Sequence, residues 1–298
     1  MPTVISFANM KGGVGKTTLC VNLAFELFTG RKRVLVVDND PQFNATTALV
    51  KPNTYINKCL KTSEILTIYS IYEKPPSVGR PRQRKQDPSA FFFTRWRMTA
   101  NPTITLDVIP SRIELFETLR NPTSKEYLLD KFLLKHAAKY DYILIDCPPT
   151  PSVLTNSAFA ASEFVVIPVK PDMFSTYGLP QFIGTLQDFK DRFHDTHRVR
   201  PVGVVFTDVP RGLPADTVRS MQTVKDTLED VSRDIPVFDS KLSHLEVFRK
   251  TLWQAVPVQR IAGKGTRGKS QATLELAAIS KELVDKIETL RAKATADD

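Results

Sequence analysis

Long apolar runs are missing from this 298-residue sequence. A helix that spans a membrane needs about eighteen or more consecutive apolar residues, and no such run occurs. The first residues, MPTVISFANM, also lack the basic segment and the long apolar stretch that begin a secretory leader. We therefore expect neither a membrane-spanning nor a secreted protein, and we expect the chain to remain in the cytoplasm.

Cysteines are few and widely separated. The three of them, Cys20, Cys59 and Cys147, show neither a CxxC pair nor the Cys and His spacing of a zinc or iron–sulfur site. A disulfide framework is not indicated either. The thiols are therefore expected to be reduced and structural.

The basic excess is concentrated in two stretches. The net charge is +9 and the isoelectric point is near 9.4. Six basic residues and one acidic residue lie between Arg80 and Arg97, and seven basic residues and one acidic residue lie between Lys241 and Lys269. The remaining chain is slightly acidic, so the charge is segregated as in proteins that bind a polyanion. For the first stretch, which is rich in proline and serine, solvated loop charge is an equally good interpretation.

Short apolar runs alternate with segments of helical periodicity. The runs lie at 4–8, 34–37, 106–109, 142–145, 164–167 and 202–206, and the helix-like segments lie near 17–28, 124–139, 152–162, 177–190 and 214–230. Apolar strands separated by helices predict an α/β fold, a mostly parallel twisted sheet with helices on both faces. Ligands on such sheets bind at the carboxyl ends of the strands.

Two regions depart from this alternation. Residues 51–103 break it, although 51–72 has some helical character, and turn-forming residues and charge at 75–88 predict a basic surface insertion at about 73–100. The end of the chain has apolar residues at helical spacing, a polar face of mixed charge and no aromatic residue. We expect a helix at about 271–293 that packs against a single domain of residues 1–298 rather than lying on a membrane.

The stretch NMKGGVGKTT, residues 9–18, predicts a phosphate-binding loop. Gly12, Gly13 and Gly15 let backbone N–H groups approach phosphate oxygens at the start of a helix. Lys16 would then reach the β- and γ-phosphates, and the Thr17 hydroxyl would be a ligand to Mg²⁺. A flexible glycine turn is the weaker interpretation, because it does not explain a GKT triplet between a strand and a helix. Lys11 is an additional lysine at the start of the loop.

Aspartates follow two of the apolar runs. Asp146 ends YILID, where a second contact to the metal is expected, although such an aspartate can also cap a loop. Asp38 and Asp40 lie in VVDNDPQFNAT, where Asp-Pro also favours a turn. One carboxylate there would orient the attacking water, while the other would secure the loop or the water shell of the metal. Asp40, further beyond the strand, is the better placed for the water, and the metal candidates are Thr17, Asp40 and Asp146.

Six motifs occur in the order KGGVGKTT, DNDPQFNATT, DVIPS, YDYILIDCPP, VVIPVKPDMFSTYGL and FRKTLWQAVPV. Together they resemble the ParA branch of the ParA/MinD family of deviant Walker-A ATPases, over nearly the whole chain except roughly residues 51–103. The resemblance implies a P-loop NTPase fold, ATP and Mg²⁺ as cofactors, and catalytic roles for Lys11, Lys16 and Asp40. It also implies a set of nucleotide-binding residues: Lys11, Gly12, Gly13, Val14, Gly15, Lys16, Thr17, Thr18, Thr207, Asp208 and Pro210.

The same resemblance implies a working cycle. ATP closes a homodimer in which Lys11 reaches the phosphates of the other subunit, and the dimer binds DNA without sequence preference. A ParB-like or adaptor protein then stimulates slow hydrolysis. Because the dimer binds DNA, the protein is expected to be cytoplasmic and associated with the nucleoid. We expect DNA contacts from five basic residues: Arg219, Lys241, Arg249, Lys250 and Arg260.

The sequence departs from the family pattern at two positions, and two other classes of protein are alternatives to a partitioning ATPase. Phe43 stands where the family commonly has glycine, and Tyr177 stands where it often has glutamate. A membrane-associated regulator of the MinD type is an alternative, but the acidic residues near the end of the chain count against it. A third interpretation is a metabolic or metal-cluster enzyme that shares the nucleotide-binding fold. The lack of a cysteine pair counts against it.

Overall fold

The architecture is that of one seven-stranded sheet with helices on both faces. The computed structural model describes residues 1–73, 87–193, 199–261 and 267–297. Four basic residues of the first charged stretch, Arg80, Arg82, Arg84 and Lys85, and much of the expected insertion therefore lie outside the described residues.

Each strand is short, and all except β3 are mostly buried. The strands are β1 (Thr3–Phe7), β2 (Val34–Asp38), β3 (Phe93–Arg97), β4 (Thr105–Ile109), β5 (Tyr142–Asp146), β6 (Phe164–Val169) and β7 (Arg200–Phe206). Their order in the sheet is β3-β4-β2-β5-β1-β6-β7. All neighbours are parallel except β3 and β4, which pair antiparallel. The predicted mostly parallel α/β sheet is confirmed.

Helices connect the parallel strands and also follow the last strand, β7. They are α1 (Lys16–Thr29), α2 (Asn44–Leu49), α3 (Pro52–Thr54), α4 (Tyr69–Tyr72), α5 (Phe116–Arg120), α6 (Leu128–His136), α7 (Val153–Ala161), α8 (Met173–Phe193), α9 (Ala215–Val231), α10 (Val247–Gln254) and α11 (Arg267–Asp297). Within the described ranges, no helix is both long and apolar enough to cross a membrane.

The core has two layers, one on each face of the sheet. Residues of α1, α2, α10 and α11 pack on one face. Residues of α4, α6, α7, α8 and α9 pack on the other. The helix expected at about 271–293 lies within α11, where Leu276, Ile279, Leu283 and Ile287 are buried at the spacing of one helical face.

The region expected to be an insertion contains part of the sheet. After the residues that are not described, a 3₁₀ turn at Pro88–Phe91 leads into β3, an edge strand beside β4. The prediction of a surface insertion at about 73–100 therefore does not hold for Phe93–Arg97, which belong to the sheet. The sequence of β3, FTRWR, has no continuous apolar run, because this strand lies at the sheet edge and is only half-buried.

Strand register brings the predicted functional residues to one edge. Asp146 at the end of β5 pairs with Phe7 of β1 on one side and with Asp38 of β2 on the other. The loop after β1 therefore lies beside the ends of β2 and β5. This common edge is where an α/β sheet binds its ligands.

Candidate nucleotide-binding site

The glycine-rich loop connects β1 to α1 and is tied to the ends of β6 and β7. Gly13 and Gly15 have φ angles of 75° and 81°, which glycine adopts without strain. A Cβ on Gly15 would also lie 3.3 Å from the side chain of Thr207. The Thr207 hydroxyl donates to the Val14 carbonyl oxygen at 2.6 Å. The side-chain amide of Asn9 donates to the Pro168 carbonyl oxygen at 2.7 Å.

Lys16 is the first residue of α1 and points back into its own loop. Its Nζ donates to the carbonyl oxygen of Lys11 at 3.0 Å, and the residue is only 7% exposed. Burial lowers the pKa of its ammonium group, although Asp146 and Asp40 act in the opposite direction. Lys16 is thus a buried cation among carboxylates, positioned at the edge where phosphates would bind.

Thr17 and Asp146 meet across the same edge. The Thr17 hydroxyl donates to Asp146 Oδ2 at 2.6 Å. Asp146 Oδ1 is buried and has no hydrogen-bond partner in the part of the chain that the structure describes. Burial, followed by the neighbouring Asp38, raises the pKa of Asp146 well above its usual value. A buried carboxylate oxygen without a donor fits a position where a cation would bind.

The donor atoms of these two residues fit a magnesium ion. Among the described residues, no group of three or more His, Cys, Asp or Glu side chains could hold a metal ion. Mg²⁺ usually retains several water molecules and takes one or two protein ligands together with substrate phosphates. The hydroxyl of Thr17 and the carboxylate of Asp146 match that donor set.

The carboxylates of Asp38 and Asp40 have different hydrogen-bond partners. Asp38 is fully buried, and its Oδ2 accepts hydrogen bonds from the Thr46 N–H and hydroxyl at 2.7 and 2.6 Å. Burial raises the pKa of Asp38 to about 7. This carboxylate therefore anchors the start of α2, which agrees with a loop-securing role.

Asp40 lies two residues further along, at the start of a turn. Its Oδ1 accepts a hydrogen bond from the Gln42 N–H at 2.8 Å, and its carbonyl oxygen accepts one from the Ser111 hydroxyl at 2.8 Å. Burial raises the pKa of Asp40, while the Gln42 hydrogen bond and the charge of Lys16 counteract it. The carboxylate is thus close enough to Lys16 to interact with it electrostatically.

Lys11 faces away from this cluster and has its own partner. Its Nζ donates to both carboxylate oxygens of Asp172 at 2.6 Å and lies 3.4 Å from the Ser175 hydroxyl. The ammonium group also lies 5.5 Å from the centre of the Phe174 ring. Burial acts to raise the pKa of Asp172, but the hydrogen bonds from Lys11 and Ser175 outweigh it, so the pKa is lowered.

Sequence reasoning did not identify Asp172. The available signal was weak, because Asp172 lies three residues beyond the end of β6, whereas Asp38 and Asp146 are the last residues of their strands. Beside Asp172, Met173, Phe174 and Tyr177 are 69%, 75% and 70% exposed. Lys11 therefore lies near the start of a helix whose first turns expose three large side chains, one of which, Phe174, it contacts.

The segment predicted to contact the base lies beyond β7. Thr207 supports the loop as described above. Asp208 has a φ of 54°, forms an ion pair with Lys170 at 2.5 Å and shares a hydrogen bond with Nδ1 of His244. Pro210 lines an open cleft of about 410 Å³ together with Val209, Arg211, Gly212, Leu213, Lys241, Ser243 and Gln271. Neither Lys170 nor His244 was a candidate from sequence.

The predicted DNA-binding residues are distributed over several elements. Arg219 is exposed on α9, Lys250 is exposed on α10, and Lys241 lines the cleft beside Pro210. Arg260 is exposed and lies over the ring of Phe25, 5.6 Å from its centre. The side chain of Arg249 lies outside the described part of the structure. No single element collects these cations.

Comparisons with known proteins agree with this geometry. A family model described as an AAA domain matches residues 2–199. The chain is 37% identical over 190 residues to the sporulation initiation inhibitor protein Soj of Bacillus subtilis, which covers 63% of this chain and 66% of that protein. It is 36% identical over 183 residues to the chromosome partitioning protein ParA of Myxococcus xanthus, which covers 61% of this chain and 57% of that protein.

These two matches span 66% and 57% of the relatives' own lengths, in both cases less than two thirds. Among solved structures, apo McdA of Cyanothece superposes with a TM-score of 0.73 at 18% identity, covering 96% of this chain and 100% of that one. At that identity the likeness concerns the fold.

Proposed function

The chain belongs to the ParA/MinD family of partitioning ATPases, and we propose that it is an ATP-dependent molecular switch whose output is DNA binding. In this proposal ATP closes a homodimer, the dimer binds DNA without sequence preference, and slow hydrolysis releases it. A ParB-like or adaptor protein stimulates the hydrolysis, and the cargo is plasmid or chromosomal DNA, or an assembly positioned over the nucleoid.

The observation that carries the proposal is the Thr17–Asp146 pair beside Lys16. A hydroxyl and a carboxylate joined at 2.6 Å, with a second carboxylate oxygen buried and unpartnered in the described structure, support the binding of Mg²⁺ with ATP. Thr17 and Asp146 would hold the ion, which would supply positive charge to offset the negative charge of the phosphates. Lys16 would exchange the Lys11 carbonyl oxygen for phosphate oxygens.

Lys11 supports the dimeric part of the proposal. Its ion pair with Asp172 holds the ammonium group 5.5 Å from the ring of the exposed Phe174. Met173 and Tyr177 of the same helix are also exposed. A second copy that covered this surface would place its phosphates within reach of Lys11. ATP binding and dimerisation would then be one linked equilibrium, in which each stabilises the other.

Asp40 is proposed to act in hydrolysis. It is 5% exposed and has one carboxylate oxygen occupied by the Gln42 N–H. The remaining oxygen would hydrogen-bond to the attacking water and orient it toward the γ-phosphate. Because Asp40 interacts with Lys16, its carboxylate and the proposed phosphate ligand belong to the same site.

The DNA-binding part is supported by charge. The net charge is +9, and the described cations Arg219, Lys241, Lys250 and Arg260 reach solvent to different degrees. Contacts from such residues to DNA phosphates need no readout of base sequence and weaken steeply as salt rises.

The membrane-associated alternative has less support. The apolar row of α11, Leu276, Ile279, Leu283 and Ile287, is at most 2% exposed and packs in the core with α1. In the described part of α11, this row is therefore already covered by protein and cannot also face lipid. We favour DNA as the surface that the protein binds.

Co-sedimentation with DNA tests the proposed output. The full chain is mixed with non-specific duplex DNA and ATP, ADP or no nucleotide, and the bound fraction is measured over a series of salt concentrations. We expect ATP to increase binding at low salt and the gain to disappear as salt rises. Equal binding with ATP and ADP at low salt would contradict the proposal, and liposome flotation in parallel tests the membrane alternative.

A further inference from the structure

Phe43 adopts a backbone conformation that favours glycine. Its φ of 44° and ψ of 38° lie in the left-handed region, at the residue that precedes α2. A bulky side chain is unfavourable there unless surrounding contacts hold it. The Phe43 N–H donates to the Asp40 carbonyl oxygen at 2.9 Å, so Phe43 closes the turn that begins at Asp40. Contacts of the Phe43 ring therefore bear directly on the position of Asp40.

Tyr55 supplies such contacts. Its ring stacks on that of Phe43, with the centres 5.9 Å apart and the planes at 15°. Its hydroxyl donates to the Ser111 carbonyl oxygen at 3.1 Å, and the Ser111 hydroxyl donates to the Asp40 carbonyl oxygen. Tyr55 thus contacts the turn by two routes, one through Phe43 and one through Ser111.

Ser111 also connects the turn to Asp38. The Ser111 N–H donates to the Thr46 hydroxyl oxygen at 2.8 Å, and that hydroxyl donates to Asp38 Oδ2. The turn is therefore held at both ends, by the buried end of β2 on one side and by Tyr55 on the other. Of these two supports, the aromatic one is the more accessible, because Phe43 and Tyr55 are only half-buried.

Tyr55 begins a helix of unusual geometry. Tyr55–Lys61 is a π-helix, a conformation that is rare in proteins and frequent at functional sites. Burial raises the pKa of the Tyr55 hydroxyl to about 12, so at neutral pH the hydroxyl is protonated and can donate to Ser111. Ile56 and Leu60 of the same helix are exposed.

We propose that the stacked rings of Phe43 and Tyr55, here called the aromatic clamp, position Asp40 for ATP hydrolysis. They hold the Asp40–Phe43 turn so that the Asp40 carboxylate keeps its orientation toward the attacking water. Phe43 and Tyr55 are positioning residues, since neither is adjacent to Lys16, Thr17 or Asp146 in the contacts described above. The inference rests on the proposed role of Asp40 in hydrolysis.

Steady-state hydrolysis of ATP by the full chain with Mg²⁺ tests the clamp in four variants. Tyr55→Leu removes the ring and the hydroxyl, Tyr55→Phe keeps the ring, Phe43→Gly removes the ring while allowing the left-handed backbone, and Asp40→Ala removes the carboxylate. Tyr69→Leu is the matched control, because Tyr69 lies in the same part of the chain but its hydroxyl bonds to Glu117. The melting temperature of each variant is measured in parallel.

We expect Tyr55→Leu and Phe43→Gly each to lower kcat about two- to tenfold, the range for one aromatic pair, with KM for ATP changed less than about twofold. The double variant should be little slower than either single one, because both remove the same contact. Tyr55→Phe should retain most of kcat, and Tyr69→Leu should retain all of it. A loss of folded protein would also lower the apparent kcat without changing KM, so each kcat is expressed per mole of folded protein, with the folded fraction at the assay temperature taken from the melting curve of that variant.

Two results would overturn the clamp. One is wild-type kcat in Phe43→Gly, which removes the ring without straining the left-handed backbone. The other is strictly additive losses in the double variant. If Asp40→Ala is inactive while the ring variants hydrolyse normally, only the clamp fails. If Asp40→Ala itself hydrolyses ATP normally, the proposed role of Asp40 fails instead.

Discussion

The two lysines of the glycine-rich loop lie in opposite environments. Lys16 is 7% exposed, hydrogen-bonded to its own loop and surrounded by the carboxylates of Asp146 and Asp40. The side chain of Lys11 is 26% exposed and paired with Asp172, at the start of a different helical region. Five residues apart in sequence, they point into different surroundings.

This difference shows how one loop can serve two purposes. Lys16 is held by burial near the ends of β1 and β5, so it can contact only a ligand that enters the same edge. Lys11 is held by a partly exposed ion pair, and ion pairs near the surface contribute only about 0–1 kcal/mol. It can therefore leave its partner at little cost, as a residue delivered to a second copy would have to do.

Replacing the buried lysine should give the largest effect. Lys16→Ala removes the only cation described at the Thr17–Asp146 pair, so ATP affinity should fall by about 100-fold or more, as expected for the loss of charge-assisted hydrogen bonds to phosphates. Equilibrium binding of a fluorescent ATP analogue measures this. Lys58→Ala is the control, since Lys58 forms an exposed ion pair with Glu64. Wild-type affinity in Lys16→Ala would contradict the phosphate-loop assignment.

Replacing Lys11, the partly exposed lysine, should separate ATP binding from dimerisation. Lys11→Ala should leave ATP affinity of the monomer within about threefold, because its Nζ is bound to Asp172 and not to the Thr17–Asp146 pair. ATP-dependent dimerisation or hydrolysis should be lost. Sedimentation velocity with ATP and with ADP measures the assembly. If Lys11→Ala dimerises and hydrolyses ATP normally, Lys11 has no role in assembly or hydrolysis.

Removing the partner of Lys11 should give the smallest effect. Asp172→Asn frees the ammonium group from a partly exposed ion pair, so dimerisation with ATP should strengthen by about two- to fivefold. The control is Asp141→Asn, which breaks the comparable Arg33–Asp141 pair before β5, at the opposite edge of the sheet. Weaker dimerisation in Asp172→Asn would mean that Asp172 supports assembly instead of competing with it.

Much of the fold was predictable because its signals are local. Each of the six apolar runs corresponds to a parallel strand, and their fully buried residues explain why the runs are continuous. The edge strand β3 was missed because an edge position needs no continuous apolar run. The π-helix was missed because nothing in YINKCLK separates it from an ordinary helix.

The phosphate loop was equally predictable, and its partners were only partly so. Thr17 and Asp146 were each identified from motifs, and the structure brings them to 2.6 Å. Asp172 was not identified, although it is the ion-pair partner of Lys11. Phe43 was noted only as a departure from glycine, and its stacking on Tyr55 was not predicted.

The sequence alone determines which segments form strands and helices and where the glycine-rich loop turns, since these depend on residues close together in the chain. Tertiary structure decides which distant side chains meet. Thr17 and Asp146 are 129 residues apart, and Lys11 and Asp172 are 161 apart. They meet because the order of parallel strands places β5 and β6 on either side of β1. Strand order is a property of the whole packed sheet, so no local pattern encodes it.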